Sequence, residues 1–262
     1  MTALSDAGAL PYEPPKWWAC DWFTKYFRKI FSKQFHATHI ATVEDPATWD
    51  AGIPTLLIAN HSNWWDGFYV WLLGYELGRK SHILMEAKNL AKYGAFRWIG
   101  VKPMRRDSIV GAYEDLKASV SCLRPETVLW VFAQGARRPS LELPEKLERG
   151  AAQLALLYGK PLRIGTVALR YHFLGEQQAE AFALVGPTWI VQPGEYTDRR
   201  VLMDRIGVDL RATLANLDAR LRDEQVGDFR VMVEGKMSFN KRMDRVRHAT
   251  GLLKGEFEAR NG

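Results

Sequence analysis

Apolar residues gather in short unbroken runs through the middle of the chain. Leu56 to Ala59, His82 to Met85, Val128 to Phe132 and Leu162 to Leu169 read as strands, since short apolar runs bounded by turn residues suit the interior of a sheet. Between them, apolar positions recur at helical spacing over Gly67 to Leu77, Leu90 to Trp98, Ile109 to Leu123 and Glu145 to Leu157. Strands alternating with amphipathic helices predict an α/β fold, with a largely parallel central sheet and helices on both faces. Ala181 to Val185 and Trp189 to Val191 extend the sheet, and Arg199 to Gln225 reads as one long charged helix. The tail from Met237 to Asn261 is basic. No repeat, low-complexity tract or composition shift marks a second folded domain.

The start of the chain has a different pattern. Pro11, Pro14 and Pro15 block regular structure, so Met1 to Pro15 reads as a flexible lead. Over Lys16 to Phe35, Trp18, Trp22, Phe23, Tyr26, Phe27, Ile30 and Phe31 fall on one helical face. Asp21, Thr24, Lys25, Arg28, Lys29 and Ser32 fall mostly on the other. Aromatic residues opposite a lysine-rich side suit a helix lying in a membrane interface. Packing on the domain core is the competing reading. The chain thus divides into residues 1–36, a lead and interfacial amphipathic helix, and residues 37–262, the α/β domain.

Composition narrows the partners. Hydrophobic residues are 47% and charged residues 25% of the 262, ordinary values for a water-exposed fold. The net charge of +6 points to an anionic partner. No fingerprint of a nucleic-acid-binding fold is present, so nucleic acid is not expected. Cys20 and Cys122, without paired spacing, exclude a disulfide framework or a cysteine zinc site. No signal peptide pattern and no apolar run long enough to span a bilayer are seen.

The chemistry concentrates in Asn60-His61-Ser62-Asn63-Trp64-Trp65-Asp66. The apolar run before it and the amphipathic run after it place it on a strand–turn–helix, at the strand end where open α/β sheets build sites. A carboxylate there can hold the Nδ1 proton of His61 and leave Nε2 to accept a proton from a hydroxyl. That is two members of a triad, with the nucleophile supplied by the substrate. A helix N-cap region with a solvated histidine is the plainer alternative. Three later stretches bear on the choice: Gly100 to Arg106, ending in paired arginines; Phe132-Ala133-Gln134-Gly135-Ala136-Arg137-Arg138-Pro139 after an apolar run; and Glu148-Arg149-Gly150-Ala151-Ala152, opening a helix.

In this order and at these spacings, the blocks resemble the glycerolipid acyltransferase family, which includes the lysophosphatidic acid acyltransferases. That family carries N-H-x4-D, then G-x5-R, then F-P-E-G-T-R, then a G-A-x helix start. The likeness runs from about Thr55 to Leu169. It departs in the third block, where Gln134 stands for the family glutamate, Ala136 for its threonine and Ala133 for its proline. The later V-P-V block has no clear counterpart; Ile164-Gly165-Thr166-Val167 occupies that region.

The resemblance implies transfer of a fatty acyl group from a thioester, on coenzyme A or an acyl carrier protein, to a hydroxyl of a membrane lysolipid such as lysophosphatidic acid. It assigns His61 as general base and Asp66 as its orienting carboxylate. Arg106, Gln134, Gly135 and Arg137 form the substrate-binding set, with the two arginines on the acceptor phosphate and amides around Gly135 as oxyanion donors. No metal or redox cofactor is implied. It also implies a cytoplasmic protein, peripheral on the inner face of the membrane and touching it through Lys16 to Phe35. Because Gln134 replaces an acidic residue, a non-phosphate acceptor, such as a glycolipid or amino-acid lipid, is one alternative. A catalytically inactive lipid-binding protein is another. A serine hydrolase using Ser62, Ser81 or Ser140 lacks the G-x-S-x-G elbow.

Overall fold

The computed structural model describes residues 12–139 and 142–235. Most of the predicted flexible lead, all of the basic tail from Met237, and Ser140 lie outside the described residues. The strands are β1 (Ala37–Thr42), β2 (Thr55–Ala59), β3 (Lys80–Glu86), β4 (Val101–Met104), β5 (Thr127–Phe132), β6 (Leu162–His172), β7 (Glu180–Val191) and β8 (Arg230–Glu234). The helices are α1 (Trp17–Gln34), α2 (Asp66–Glu76), α3 (Ala87–Lys92), α4 (Ile109–Ser119), α5 (Gly150–Tyr158) and α6 (Arg199–Arg222).

The eight strands form one sheet in the order β4-β3-β5-β2-β6-β7-β1-β8. Pairs are parallel except β6 with β7 and β1 with β8. β2 lies between two parallel neighbours and is buried at every residue, which is why its sequence is an apolar run without alternation. Its side chains still divide between faces. Leu57 and Ala59 join the core under α1 and α2, while Leu56 and Ile58 join the core under α5 and α6. The sheet is therefore covered on both sides, and its middle strands carry most of the burial.

Several boundaries differ from those the sequence predicts. Leu90 to Trp98 is not one helix: α3 ends at Lys92, and a 3-10 turn follows over Gly94–Ile99. Gly94, which opens the 3-10 turn, favours the break, because glycine is a poor helix interior residue. The helix expected from Glu145 begins only at Gly150. Three strands escape the pattern. β4 contains Pro103 and is the edge strand, where a missing N–H does least harm. β8 is the opposite edge and is mostly exposed. β1 is too mixed in polarity to stand out.

The aromatic face expected over Lys16 to Phe35 divides in two. Phe23, Phe27 and Phe31, at a spacing of four, are buried in the core that also holds Tyr69 and Trp71 of α2. Trp17, Trp18, Trp22 and Tyr26 are exposed. Trp22 stacks on Tyr26 at 5.2 Å, and Trp18 packs on Trp98 at 5.4 Å. The basic side is partly engaged: Lys25 pairs with Asp21 at 2.8 Å, and Arg28 bonds Glu76 of α2 and the Met232 carbonyl of β8. Both cysteines are free thiols.

Candidate active site

The parallel strands set the site through their register. Ala59, the last residue of β2, pairs with Phe132 of β5 on one side and Val167 of β6 on the other. Two residues beyond each of the first pair stand His61 and Gln134, and the Gln134 side-chain oxygen accepts the His61 backbone N–H. The Arg138 N–H donates to the His61 carbonyl at 2.9 Å. The histidine backbone is thus held at both of its polar groups by the chain after β5. On the other side, Asn60 uses its amide like a short strand, donating to the Leu169 carbonyl at 3.1 Å and accepting from the Leu169 N–H at 2.7 Å.

The His61 imidazole lies flat on the Phe132 ring, 4.2 Å between centroids and 21° between planes. Its Nδ1 is 2.9 Å from Asp66 Oδ2. The same oxygen accepts the Ser62 N–H at 2.7 Å and the Asn63 N–H at 2.8 Å. Asp66 is the first residue of α2, so these bonds fold the loop back onto the helix start, where a negative charge is favoured. Asp66 has no solvent exposure, whereas the His61 side chain keeps 23% of its surface exposed. A buried carboxylate with this many donors is fixed in place. It therefore sets Nδ1 as the protonated nitrogen of His61 and leaves Nε2 as the basic one.

Asp66 has one further contact that local sequence does not foretell. The hydroxyl of Tyr171, in β6, donates to Asp66 Oδ1 at 2.7 Å. Tyr171 is separated from Asp66 by over a hundred residues, so no spacing rule reaches it. Burial and the neighbouring carboxylate push its phenol well above the usual range, so it remains a donor.

The substrate-binding set is dispersed. Gln134 is buried, and its visible task is to hold the His61 main chain. Gly135 has φ +65°, and a Cβ there would come within 2.5 Å of Glu148 Cγ, so a side chain is excluded on both counts. Its N–H is already engaged, donating to the Phe132 carbonyl at 3.1 Å. Arg137 is exposed on the same turn. Of the paired arginines, Arg105 is clamped by Asp115 through its Nε and Nη2 at 2.9 and 2.7 Å. Arg106 is exposed. It leaves the end of β4, three strand positions from β2, roughly 14 Å across the sheet. The structure brings His61, Asp66 and Gln134 into contact, and places Arg106 and Arg137 on the same carboxyl edge without contact to the pair. Among the described residues, no group of three or more His, Cys, Asp or Glu side chains is placed to hold a metal ion.

Residues 40–169 match the model of the acyltransferase family. The fold is similar to the crystal structure of the 1-acyl-sn-glycerophosphate acyltransferase PlsC from Thermotoga maritima. The TM-score is 0.53 at 15% sequence identity, over 77% of this chain and 79% of that one. No curated protein matches the chain in sequence. Among the described residues, no helix is long and apolar enough to cross a membrane.

Proposed function

We propose that the chain, whose residues 40–169 match the acyltransferase family model, acts as a glycerolipid acyltransferase: it transfers a fatty acyl group from a thioester to a hydroxyl of a membrane lysolipid, by His61–Asp66 general-base catalysis. The observation that carries this reading is the partly exposed imidazole on a fully buried, hydrogen-bonded carboxylate. Among the described residues, no serine, threonine or cysteine side chain hydrogen-bonds the pair, which suits a substrate that brings its own hydroxyl.

In the proposed reaction, Nε2 of His61 takes the hydroxyl proton as the oxygen attacks the thioester carbonyl. The imidazolium that results is stabilised by Asp66. The negative charge moves to the carbonyl oxygen of a tetrahedral intermediate, where main-chain N–H groups following Gly135 are suited to receive it. The intermediate collapses, the carbon–sulfur bond breaks, and the thiolate leaves with the proton from Nε2. An ester and a free thiol are the products. Coenzyme A or an acyl carrier protein supplies the thioester, and the chemistry asks for no metal or redox cofactor. Arg106 and Arg137 are assigned to the acceptor phosphate, because guanidinium matches phosphate with paired donors.

The acceptor is a lipid, so the protein works at a surface. The exposed indoles of Trp17, Trp18 and Trp22, beside Lys16 and Lys29, are suited to the interface of the inner, anionic leaflet. The test is thiol release from a long-chain acyl coenzyme A, with and without lysophosphatidic acid in mixed vesicles. Release only with acceptor, together with a new phosphatidic acid product, is expected. Release without acceptor would make the protein a hydrolase, and no release with any lysolipid would leave a lipid-binding protein.

A further inference from the structure

We propose that Tyr171 is a positioning residue of the catalytic pair: its hydroxyl fixes which oxygen of Asp66 faces His61 and tempers the basicity of that carboxylate. The inference rests on the His61–Asp66 reading above and adds a third member to it.

The two oxygens of Asp66 are served unequally. Oδ2 accepts three donors: the Ser62 N–H, the Asn63 N–H and Nδ1 of His61. Oδ1 accepts the Tyr171 hydroxyl at 2.7 Å. The residue has no exposed surface, so water is a poor substitute donor for Oδ1. Without the phenol, one oxygen of a buried anion lacks that charge-assisted bond, a costly state that invites the carboxyl to rotate. Rotation would draw Oδ2 from His61 and loosen the loop that carries it.

The phenol is aimed by its surroundings. Its ring stacks on Phe35, the residue that follows α1, at 5.4 Å and 27°. Phe35 also packs edge-on against Trp65, the residue before Asp66, at 5.6 Å. Tyr69 of α2 lies on a further side at 6.4 Å, its own hydroxyl spent on the His39 and Ala181 carbonyls at 2.5 and 3.0 Å. Because Ala181 is the β7 partner of Tyr171, the same bond that anchors Tyr69 braces the backbone beside Tyr171. A tyrosine with its ring fixed on these sides has one place to put its hydroxyl.

The electronic effect has a definite sign. A hydrogen bond to a carboxylate lowers its charge density and its attraction for a neighbouring proton. Removing the Tyr171 donor makes Asp66 more basic, and the imidazolium form of His61 is then stabilised further. The His61 titration moves to higher pH, and the acid limb of the rate profile follows. The titratable and charged groups around His61 are Asp66 and Tyr69 of α2, Tyr171 of β6, and, past β5, Glu148 behind Gly135 with Arg137 and Arg138 exposed on the turn. Replacing a phenol by a phenyl ring leaves the others in place.

The test is Tyr171→Phe, read in two ways. NMR titration of the His61 ring, its signal assigned by loss in His61→Ala, needs no turnover. The midpoint is expected to rise by about half a pH unit. Turnover of the same protein is expected to fall about tenfold in kcat, with KM for thioester and acceptor little changed, as for a lost hydrogen bond to a charged group. Site-specific 3-fluorotyrosine at 171 keeps the shape with a more acidic donor, and the midpoint should then fall. It also serves should the phenylalanine variant not fold. A His61 midpoint that neither replacement moves, whatever the effect on stability, would overturn the assignment of Tyr171. Full turnover in folded His61→Ala would instead overturn the general-base reading and leave the titration result standing by itself.

Discussion

The proposed catalytic pair and the arginine rim lie on the same carboxyl edge of the sheet but are built in opposite ways. Asp66 is buried and bonded by the chain's own donors, and His61 is held through its main chain, its ring face and its Nδ1. Arg106 and Arg137 stand exposed. A group that must act in one geometry is fixed before substrate arrives, since orientation lost at the reacting atoms lowers the rate directly. A group that binds a charged headgroup gains by keeping its donors in water until the ligand replaces that water. Substitutions on the two sides should therefore separate into effects on kcat and effects on KM.

The largest effect is expected on the built side. Asp66→Asn keeps the shape but loses the charge that stabilises the imidazolium, and should lower kcat by about 10⁴-fold. If it moved KM alone, the pair would not be the catalytic half. On the rim, Arg106→Ala or Arg137→Ala should raise KM for a phosphate-bearing acceptor about tenfold or more with kcat largely kept, consistent with loss of a charge-assisted bond. An equal loss on a phosphate-free acceptor would deny these arginines the headgroup role. A third comparison lies within α1. Phe27→Ala empties a buried site and should destabilise the fold by about 3–5 kcal/mol, measured by chemical denaturation. Trp18→Ala with Trp22→Ala should leave the fold intact and reduce sedimentation with anionic vesicles severalfold, more so at high salt. Unchanged sedimentation would assign those indoles no part in membrane contact. The smallest effect is expected from Gln134→Glu. A carboxylate oxygen can accept the His61 N–H as the amide oxygen does, so catalytic efficiency should change by less than about threefold. A switch in acceptor preference would instead restore the view that Gln134 selects the headgroup.

What the sequence disclosed follows from the range of the interactions. His61 and Asp66 are five positions apart on a strand–turn–helix, so periodicity and motif both reach them. The central strands announce themselves because burial on both faces removes alternation. Gln134 was visible as a motif position, but its task depends on a parallel register between β2 and β5 that only the assembled sheet supplies. Tyr171 was invisible for the same reason, being brought to Asp66 by a strand from the far side of β2. The edge strands β4 and β8 were missed because an exposed edge tolerates proline and polar residues. The segment read as an interfacial helix folds as α1, but its single aromatic stripe conceals two destinations. The phenylalanines face the core and the tryptophans face outward, a division that helical spacing alone does not draw.

The most direct test of the central claim is the turnover of folded His61→Ala, assayed as acceptor-dependent thiol release beside the wild-type protein and checked for folding by its denaturation midpoint. General-base catalysis by His61 predicts a loss of about 10²- to 10⁴-fold in kcat with an unchanged fold. Wild-type turnover in that folded variant would contradict it.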